Sequence, residues 1–266
     1  MGEKKRTAAF FDLDKTIIAT SSTIAFSHEL QVEGMLTRVD TLRTAYAQFL
    51  FMIGGADARQ TSRLRDAIAE TITGWEAAKV TKIVEETVEQ HIDPVVYEEA
   101  VSLIRRHQAN GRDIVIVSAS GAEIVKPIAR LLGATSFIAS EMEVVDGKYT
   151  GKIGFYAFGP QKAKAIRDLA KEKGYDLKRS YAYSDSISDL PMLDSVGFGY
   201  AVNPDRAMKR AASEHGWGTL SFRRPIVLRK AIRRRGAIFL AAIVVLLGLV
   251  WIGSKRRRKS RRARAA

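Results

Sequence analysis

The stretch AAFFDLDKT, residues 8–16, decides the fold. Its apolar and aromatic run, residues 8–13, has the length and composition of a strand buried on both faces. It nevertheless closes on two aspartates, Asp12 and Asp14, with a single leucine between them. On an extended chain, neighbouring side chains point to opposite sides and residues two apart share a side. Leu13 is therefore expected to face the core while Asp12 and Asp14 face one site.

The same pattern returns three times. DIVIVSAS (113–120) is a β-branched run ending in serines, SYAYSDS (180–186) ends in Ser-Asp-Ser, and GFGYAVN (197–203) ends in Asn before a proline. Helical patterns follow at 122–132, closing at Gly133, at 160–173, closing at Gly174, and from Asp189 onward with Pro191 in the first turn. Strands alternating with helices predict an α/β fold built on a doubly wound, Rossmann-like parallel sheet. MEVVDGKYTGKI (142–153) reads as a hairpin turning at Asp146-Gly147. Between Thr16 and Asp113 the periodicity is helical, as in Leu42, Tyr46, Phe49, Leu50 and Ile53 before Gly54-Gly55, which predicts an inserted helical cap. The expected division is a catalytic core at 1–19 and 110–222, a cap at 20–109, a basic linker at 223–236, a transmembrane helix at 237–253 and a basic tail at 254–266.

The chain of 266 residues, 46% of them hydrophobic, is long and apolar enough for a substantial core. It lacks cysteine, which excludes disulfides and thiolate metal sites. Its net charge of +14 suggests a polyanionic partner until the charge is located. Residues 1–222 hold 28 Lys+Arg against all 29 Asp+Glu, while residues 223–266 hold the other 15 basic residues and no acid. The excess belongs to the tail, so no specific nucleic-acid partner is expected; a nucleic-acid-binding membrane scaffold is the alternative such a tail leaves open. AIFLAAIVVLLGLVWIG (237–253) is uncharged and apolar on every helical face, between RRR (233–235) and KRRRK (255–259). With its uncharged neighbours it reaches roughly 28 Å as a helix, close to a bilayer core. Trp251 is expected near a bilayer interface. Seven basic residues precede the span and eight follow it, so the charge bias gives no orientation. A re-entrant or shallow helix with both basic flanks on anionic headgroups is the alternative to a single crossing. Too few apolar residues precede Asp12 for a signal-peptide core, so the catalytic body is expected to be cytoplasmic and membrane-associated.

The chemistry-bearing residues fall at strand ends, where an open parallel sheet binds ligands. Asp12 and Asp14 end the first strand, Ser118 ends the second, Lys162 opens a helix after Gly159-Pro160, and Asp185 and Asp189 follow SYAYS. Four carboxylates so close call for a cation; Mg2+, which takes oxygen ligands and keeps water, suits them. The hydroxyl and the lysine suit a phosphoryl group. One carboxylate can attack phosphorus, and the other can protonate the leaving alkoxide and later activate water. His28, His91, His107 and His215 have no metal-ligand spacing and are expected on the surface or in the cap. Tyr149, Phe155 and Tyr156 are expected to pack the hairpin.

DLDKT, IVIVSAS, GPQK and YSDSISDLPML together resemble the four motifs of the haloacid dehalogenase superfamily, subclass IB, the phosphoserine-phosphatase-like hydrolases. The resemblance runs from about Thr7 to about Trp217 and leaves the tail uncovered. It implies a phosphatase of phosphomonoesters in which Asp12 is the nucleophile that forms an aspartyl phosphate and Asp14 the general acid/base. Ser118 and Lys162 would bind the phosphoryl group, with Lys164 as the other candidate lysine. Mg2+ would be held by Asp12, the Asp14 carbonyl and Asp185, with Asp189 bound directly or through water. Phosphoserine phosphatases carry a glutamate nine residues after the nucleophile that meets the substrate ammonium; here that position is Ser21. Ser21 and Thr16 are accordingly the substrate-specificity candidates. The subclass also contains phosphatases of phosphorylated lipids and head groups. A lipid substrate and a small metabolite phosphatase anchored by its tail are the two readings left open.

Overall fold

The computed structural model describes residues 6–36 and 69–223. At its centre is β1 (Ala8–Asp12), all five residues of which are buried. Chain order continues with α1 (Ser22–Val32), α2 (Ala77–Ile92), α3 (Glu98–Ala109), β2 (Asp113–Gly121), α4 (Ala122–Leu131), β3 (Ser136–Val145) and β4 (Lys148–Phe155). Then follow α5 (Pro160–Lys173), β5 (Tyr181–Ser184), α6 (Leu190–Asp194), β6 (Phe198–Val202), α7 (Arg206–His215) and β7 (Gly218–Leu220). The strands form one sheet in the order β4-β3-β2-β1-β5-β6-β7, parallel except for the β3–β4 pair. The order reverses direction at β1, which pairs with β2 on one side and β5 on the other.

Alternation along β1 divides its side chains between two layers. Ala8 and Phe10 join a buried cluster with Ile166 and Ala170 of α5, Met192 and Leu193 of α6, and Met208 and Ala212 of α7. Phe11 stacks on Tyr183 of β5 at 4.5 Å between centroids and meets His107 of α3 edge-on at 6.0 Å. Each phenylalanine is fully buried, a contribution of about 2–3 kcal/mol apiece. The parallel α/β sheet and the helices at 122–131 and 160–173 stand where the sequence predicts them. α5 ends at Gly174, whose φ of 72° is the left-handed stop that glycine supplies without a Cβ penalty. The hairpin turns at Asp146 and Gly147, both at positive φ (51° and 77°), as a two-residue primed turn requires.

Three features differ from the sequence reading. β3 begins at Ser136, not at 142, and its first residues pair in parallel with β2 before the strand turns antiparallel to β4. β7 has only three residues, too few to show a periodicity. The third concerns the cap boundary: α3 packs against β2 and so belongs to the sheet layer, whereas α2 packs against α1 and α4. The base of the cap is stitched to the hairpin by backbone bonds, Gly74 N to Tyr149 O (2.8 Å), Tyr149 N to Trp75 O (3.0 Å) and Ala77 N to Gly147 O (3.0 Å). Among the described residues no helix is long and apolar enough to cross a membrane. The segment 237–253, with Trp251, the tail at 254–266, all but the first residue of the linker and cap residues 37–68 lie outside them.

His107 is a correction that follows from α3. Expected on the surface or in the cap, it is 4% exposed beneath the sheet. Its Nε2 lies 2.8 Å from the Tyr183 hydroxyl and its Nδ1 3.5 Å from Arg112, a group that only donates, so Nδ1 accepts and Nε2–H donates. Burial, then the charges of Arg112 and Arg106, push its pKa from 6.5 down to about 4. A histidine held neutral in the folded state binds its proton more readily when unfolded. Its contribution is complete above pH 6.5 and is lost as pH falls from there toward 4. Buried carboxylates with raised pKa values act in the opposite direction, so the contribution is isolated by comparing wild type with His107→Gln. In urea titrations the stability difference between the two is expected to shrink by about 2 kcal/mol between about pH 7.5 and about pH 4.5.

Candidate active site

The carboxyl ends of β1, β2 and β5 meet at the point where strand order reverses, which is where an open parallel sheet leaves a crevice. Pairing puts Asp12 level with Val117 and Phe11 level with Tyr183, so Ser118 and Ser184 stand beside Asp12 at neighbouring strand ends. β1 stops at Asp12. The chain then turns through Asp14 and Lys15, the latter at a φ of 60°, an unfavourable left-handed conformation for a side chain with a Cβ. The turn is held by Ile17 N and Ile18 N, which donate to Leu13 O at 2.9 and 3.1 Å. Leu13 is fully buried.

Lys162 enters from α5. Gly159 (φ 54°) precedes Pro160, and the helix starts there, so Lys162 lies in its first turn with 3% exposure. Its ammonium donates to Asp12 Oδ1 at 2.7 Å and to Asp189 Oδ2 at 2.8 Å. Asp189 Oδ2 also accepts from Ser184 Oγ at 2.7 Å. Lys164, the other candidate, points to the exposed face of α5 and pairs with Asp168 at 3.1 Å. Thr16 is fully buried, donates through Oγ1 to Asp185 Oδ1 (3.1 Å) and accepts from Asp185 N (3.0 Å). Thr16 thus orients Asp185. Ser21 is half-buried at the N-cap of α1, and its side chain makes no capping bond.

Sequence reasoning did not single out Ser22 and Ser120. Asp14 Oδ1 accepts from Ser22 N at 2.7 Å and Oδ2 from Ser120 Oγ at 3.2 Å, and the two serine hydroxyls lie 2.8 Å apart. Ser120 N in turn donates to Ser118 Oγ at 3.1 Å. The available signal was the spacing of SAS in 118–120, which puts both hydroxyls on one side of an extended chain.

Burial sets the electrostatics. It raises the pKa of Asp12 well above the usual carboxylate value; Lys162 opposes this, while Asp189 and Asp185 reinforce it. Burial also raises Asp14, against the bonds from Ser22 and Ser120. Asp185 is pushed up to about 6 by burial and then by repulsion from Asp189, with Thr16 pulling the other way. Burial would lower Lys162, but Asp12 and Asp189 overrule it and hold its pKa above the ordinary lysine value.

One lysine does not balance this many carboxylates, and the buried Oδ1 of Asp189 has no hydrogen-bond partner among the described residues. Hard oxygen donors with excess negative charge fit a hard cation. Among the described residues no group of three His, Asp or Glu side chains is disposed to hold a metal alone. Mg2+ needs fewer protein ligands, and the Asp12 and Asp185 carboxylates with the Asp14 carbonyl are the oxygens that could hold it, with water and substrate completing the shell. Asp14's own carboxylate is committed to Ser22 and Ser120, and Asp189 Oδ2 to Lys162 and Ser184.

A family model described as haloacid dehalogenase-like hydrolase matches residues 9–194. The chain is 51% identical over 262 residues to an "inhibition of morphological differentiation protein" of Streptomyces azureus, covering 95% of each chain. It is 52% identical over 238 residues to a probable phosphatase of Mycobacterium tuberculosis, covering 90% of this chain and 83% of that one. A phosphoserine phosphatase of the same organism is 35% identical over 228 residues, covering 85% and 73%. Among solved structures, a protein of unknown function from Bordetella pertussis superposes with a TM-score of 0.70 at 27% identity, covering 82% of this chain and 99% of that one.

Removing the Lys162 charge leaves Asp12 and Asp189 buried without their cation. Lys162→Met is therefore expected to destabilise the fold by about 3–5 kcal/mol in urea at neutral pH without added metal. Lys164→Met, on the exposed face, is expected to stay within about 0.5 kcal/mol of wild type in the same titration.

Proposed function

The chain belongs to the haloacid dehalogenase-like hydrolases and is a phosphatase, and from that premise we propose a Mg2+-dependent phosphomonoesterase that forms an aspartyl phosphate on Asp12 and acts at a membrane surface on a phosphorylated lipid or lipid head group. The observation that carries the chemistry is the convergence of Asp12, Lys162 and the Asp14 carboxylate at the ends of β1 and β2, beside Ser118.

In the first step an Asp12 carboxylate oxygen forms a bond to phosphorus while the bond from phosphorus to the ester oxygen breaks. Asp14 delivers a proton to that leaving oxygen, so an alcohol departs. In the second, water attacks the phosphoryl group, its proton passes to Asp14, and Asp12 is released with inorganic phosphate. Ser118 donates to the phosphoryl oxygens, and Lys162 offsets their charge while keeping Asp12 in place. Asp12, Asp185 and the Asp14 carbonyl would hold Mg2+, which would supply further neutralisation of phosphoryl charge. The cap that begins at α1 screens the reaction from bulk water.

The substrate reading rests on Ser21 and on the tail. No carboxylate at Ser21 is available to pair with a substrate ammonium, which removes the ionic contact that singles out phosphoserine. The uncharged run at 237–253 between basic clusters would hold the enzyme on anionic lipid and raise the local concentration of a lipid ester. The second reading, a small-metabolite phosphatase anchored by its tail with its catalytic domain cytoplasmic, is favoured by the phosphoserine phosphatase among the relatives.

Asp12→Asn is expected to lower hydrolysis of para-nitrophenyl phosphate by about 10³-fold or more with an unchanged circular dichroism spectrum; retained turnover overturns the assignment of Asp12. Chelation should abolish activity and Mg2+ restore it. Thr16→Val, which frees Asp185, should raise the Mg2+ concentration for half-maximal rate by about tenfold. Rates on phosphatidylglycerophosphate and lysophosphatidate in anionic vesicles should exceed those on phosphoserine and fall when residues 224–266 are deleted. Faster phosphoserine hydrolysis, untouched by the deletion, would establish the second reading instead.

A further inference from the structure

Asp14 is held from two elements at once, the start of α1 and the end of β2, and neither contact belongs to the motif that carries it. From the core, Ser120 at the end of β2 donates its hydroxyl proton to Asp14 Oδ2 at 3.2 Å. From the cap, Ser22 at the start of α1 donates its backbone N–H to Oδ1 at 2.7 Å. The hydroxyls are 2.8 Å apart. A serine hydroxyl has one proton to give; with that of Ser120 committed to Asp14, Ser22 is the donor in the pair, and the chain of bonds runs Ser22 Oγ–H to Ser120 Oγ–H to Asp14. Ser22 is fully buried and Ser120 half-buried, so water competes little for these bonds. Ser120 also ties Ser118 through its backbone N–H (3.1 Å), so one residue fixes the hydroxyl that meets the phosphoryl group and the carboxylate that meets the leaving oxygen.

We infer that Ser120 is a positioning residue for leaving-group protonation: with Ser22 of α1 it aims the Asp14 carboxyl at the departing ester oxygen and makes that aim depend on the seating of α1. This rests on the phosphatase reading above, in which Asp14 moves the proton. An alkoxide leaves poorly without a proton, whereas a nitrophenolate leaves well without one. Mis-aiming Asp14 therefore penalises alkyl esters more than activated aryl esters. The parameter that reports this is kcat/KM, which covers events through the first irreversible step and excludes the later hydrolysis of the aspartyl phosphate.

The test compares kcat/KM of the full chain with Mg2+ on glycerol phosphate and on para-nitrophenyl phosphate, for wild type, Ser120→Ala, Ser120→Thr and Ser22→Ala. Ser120→Ala is expected to lower the glycerol phosphate value about tenfold more than the para-nitrophenyl phosphate value. Ser120→Thr, which keeps the hydroxyl, should restore most of the ratio, and Ser22→Ala should shift it in the same direction by less. An equal loss on both esters, as a general packing defect gives, overturns the inference, as does an unchanged ratio in Ser120→Ala. If Asp12→Asn retains turnover, the phosphatase assignment falls and takes this inference with it. If Asp12→Asn is inactive and the ratio is still flat, only the inference fails.

Discussion

The contact on which the rest of the site depends is the buried bridge from Lys162 to Asp12 and Asp189. Its three side chains come from α5, the end of β1 and the short turn before α6, and the lysine is 150 residues from Asp12 in sequence. Removing an ammonium and two carboxylates from water costs several kcal/mol per ion, which is recovered only when the geometry is tight and the other polar atoms are satisfied. Here the distances are 2.7 and 2.8 Å, and Ser184 adds a third bond at 2.7 Å. The apolar cluster of Phe10, Val117, Ile166 and Met192 lies under these elements and holds them in register. The core thus supplies the rigidity, and the bridge determines where that rigidity places Asp12.

The same bridge explains why the carboxylates can be as crowded as they are. The Asp189 charge raises the proton affinity of both Asp12 and Asp185, Asp185 adds to that of Asp12, and one lysine is insufficient to cancel them. The residual negative charge, with an Asp189 Oδ1 that has no hydrogen-bond partner among the described residues, is what a divalent cation would correct. Lys162 and a cation would then divide the work: Lys162 anchors Asp12, and the cation would supply the positive charge that a phosphoryl dianion needs.

Much of this was legible in the sequence because it followed from periodicity and strand ends. The run at 8–13, the serine-terminated β2 and the helix opened by Gly159-Pro160 announce a parallel sheet and place Asp12, Ser118 and Lys162 at one end of it. Lys162 is preferred to Lys164 in advance because its distance from Gly159 matches the spacing of the family it resembles and puts it in the first helical turn. What was not legible needed tertiary contacts. His107 reads as a helix-surface residue until α3 is known to lie on β2, and the bonds between Thr16 and Asp185 join residues 169 apart in sequence. The three-residue β7 and the first half of β3 carry too little pattern, and the stitching of the cap to the hairpin is made by backbone groups that no side-chain pattern reports.

The pairing of Asp14 with α1 gives the helical insertion a physical meaning beyond a cover. Ser21 occupies the N-cap of α1 without capping it; Asp14 takes over that task from outside the helix by accepting from Ser22 N. A carboxylate there is stabilised by the unsatisfied amides of the first turn, typically by about 1 kcal/mol. The interaction is reciprocal: whatever seats α1 also orients Asp14, and whatever displaces α1 frees it. A cap joined to the core only by its hinges would close over the site without altering its chemistry. One whose first helix is capped by Asp14, the residue proposed to carry the proton, ties the seating of α1 to the direction in which that carboxylate points.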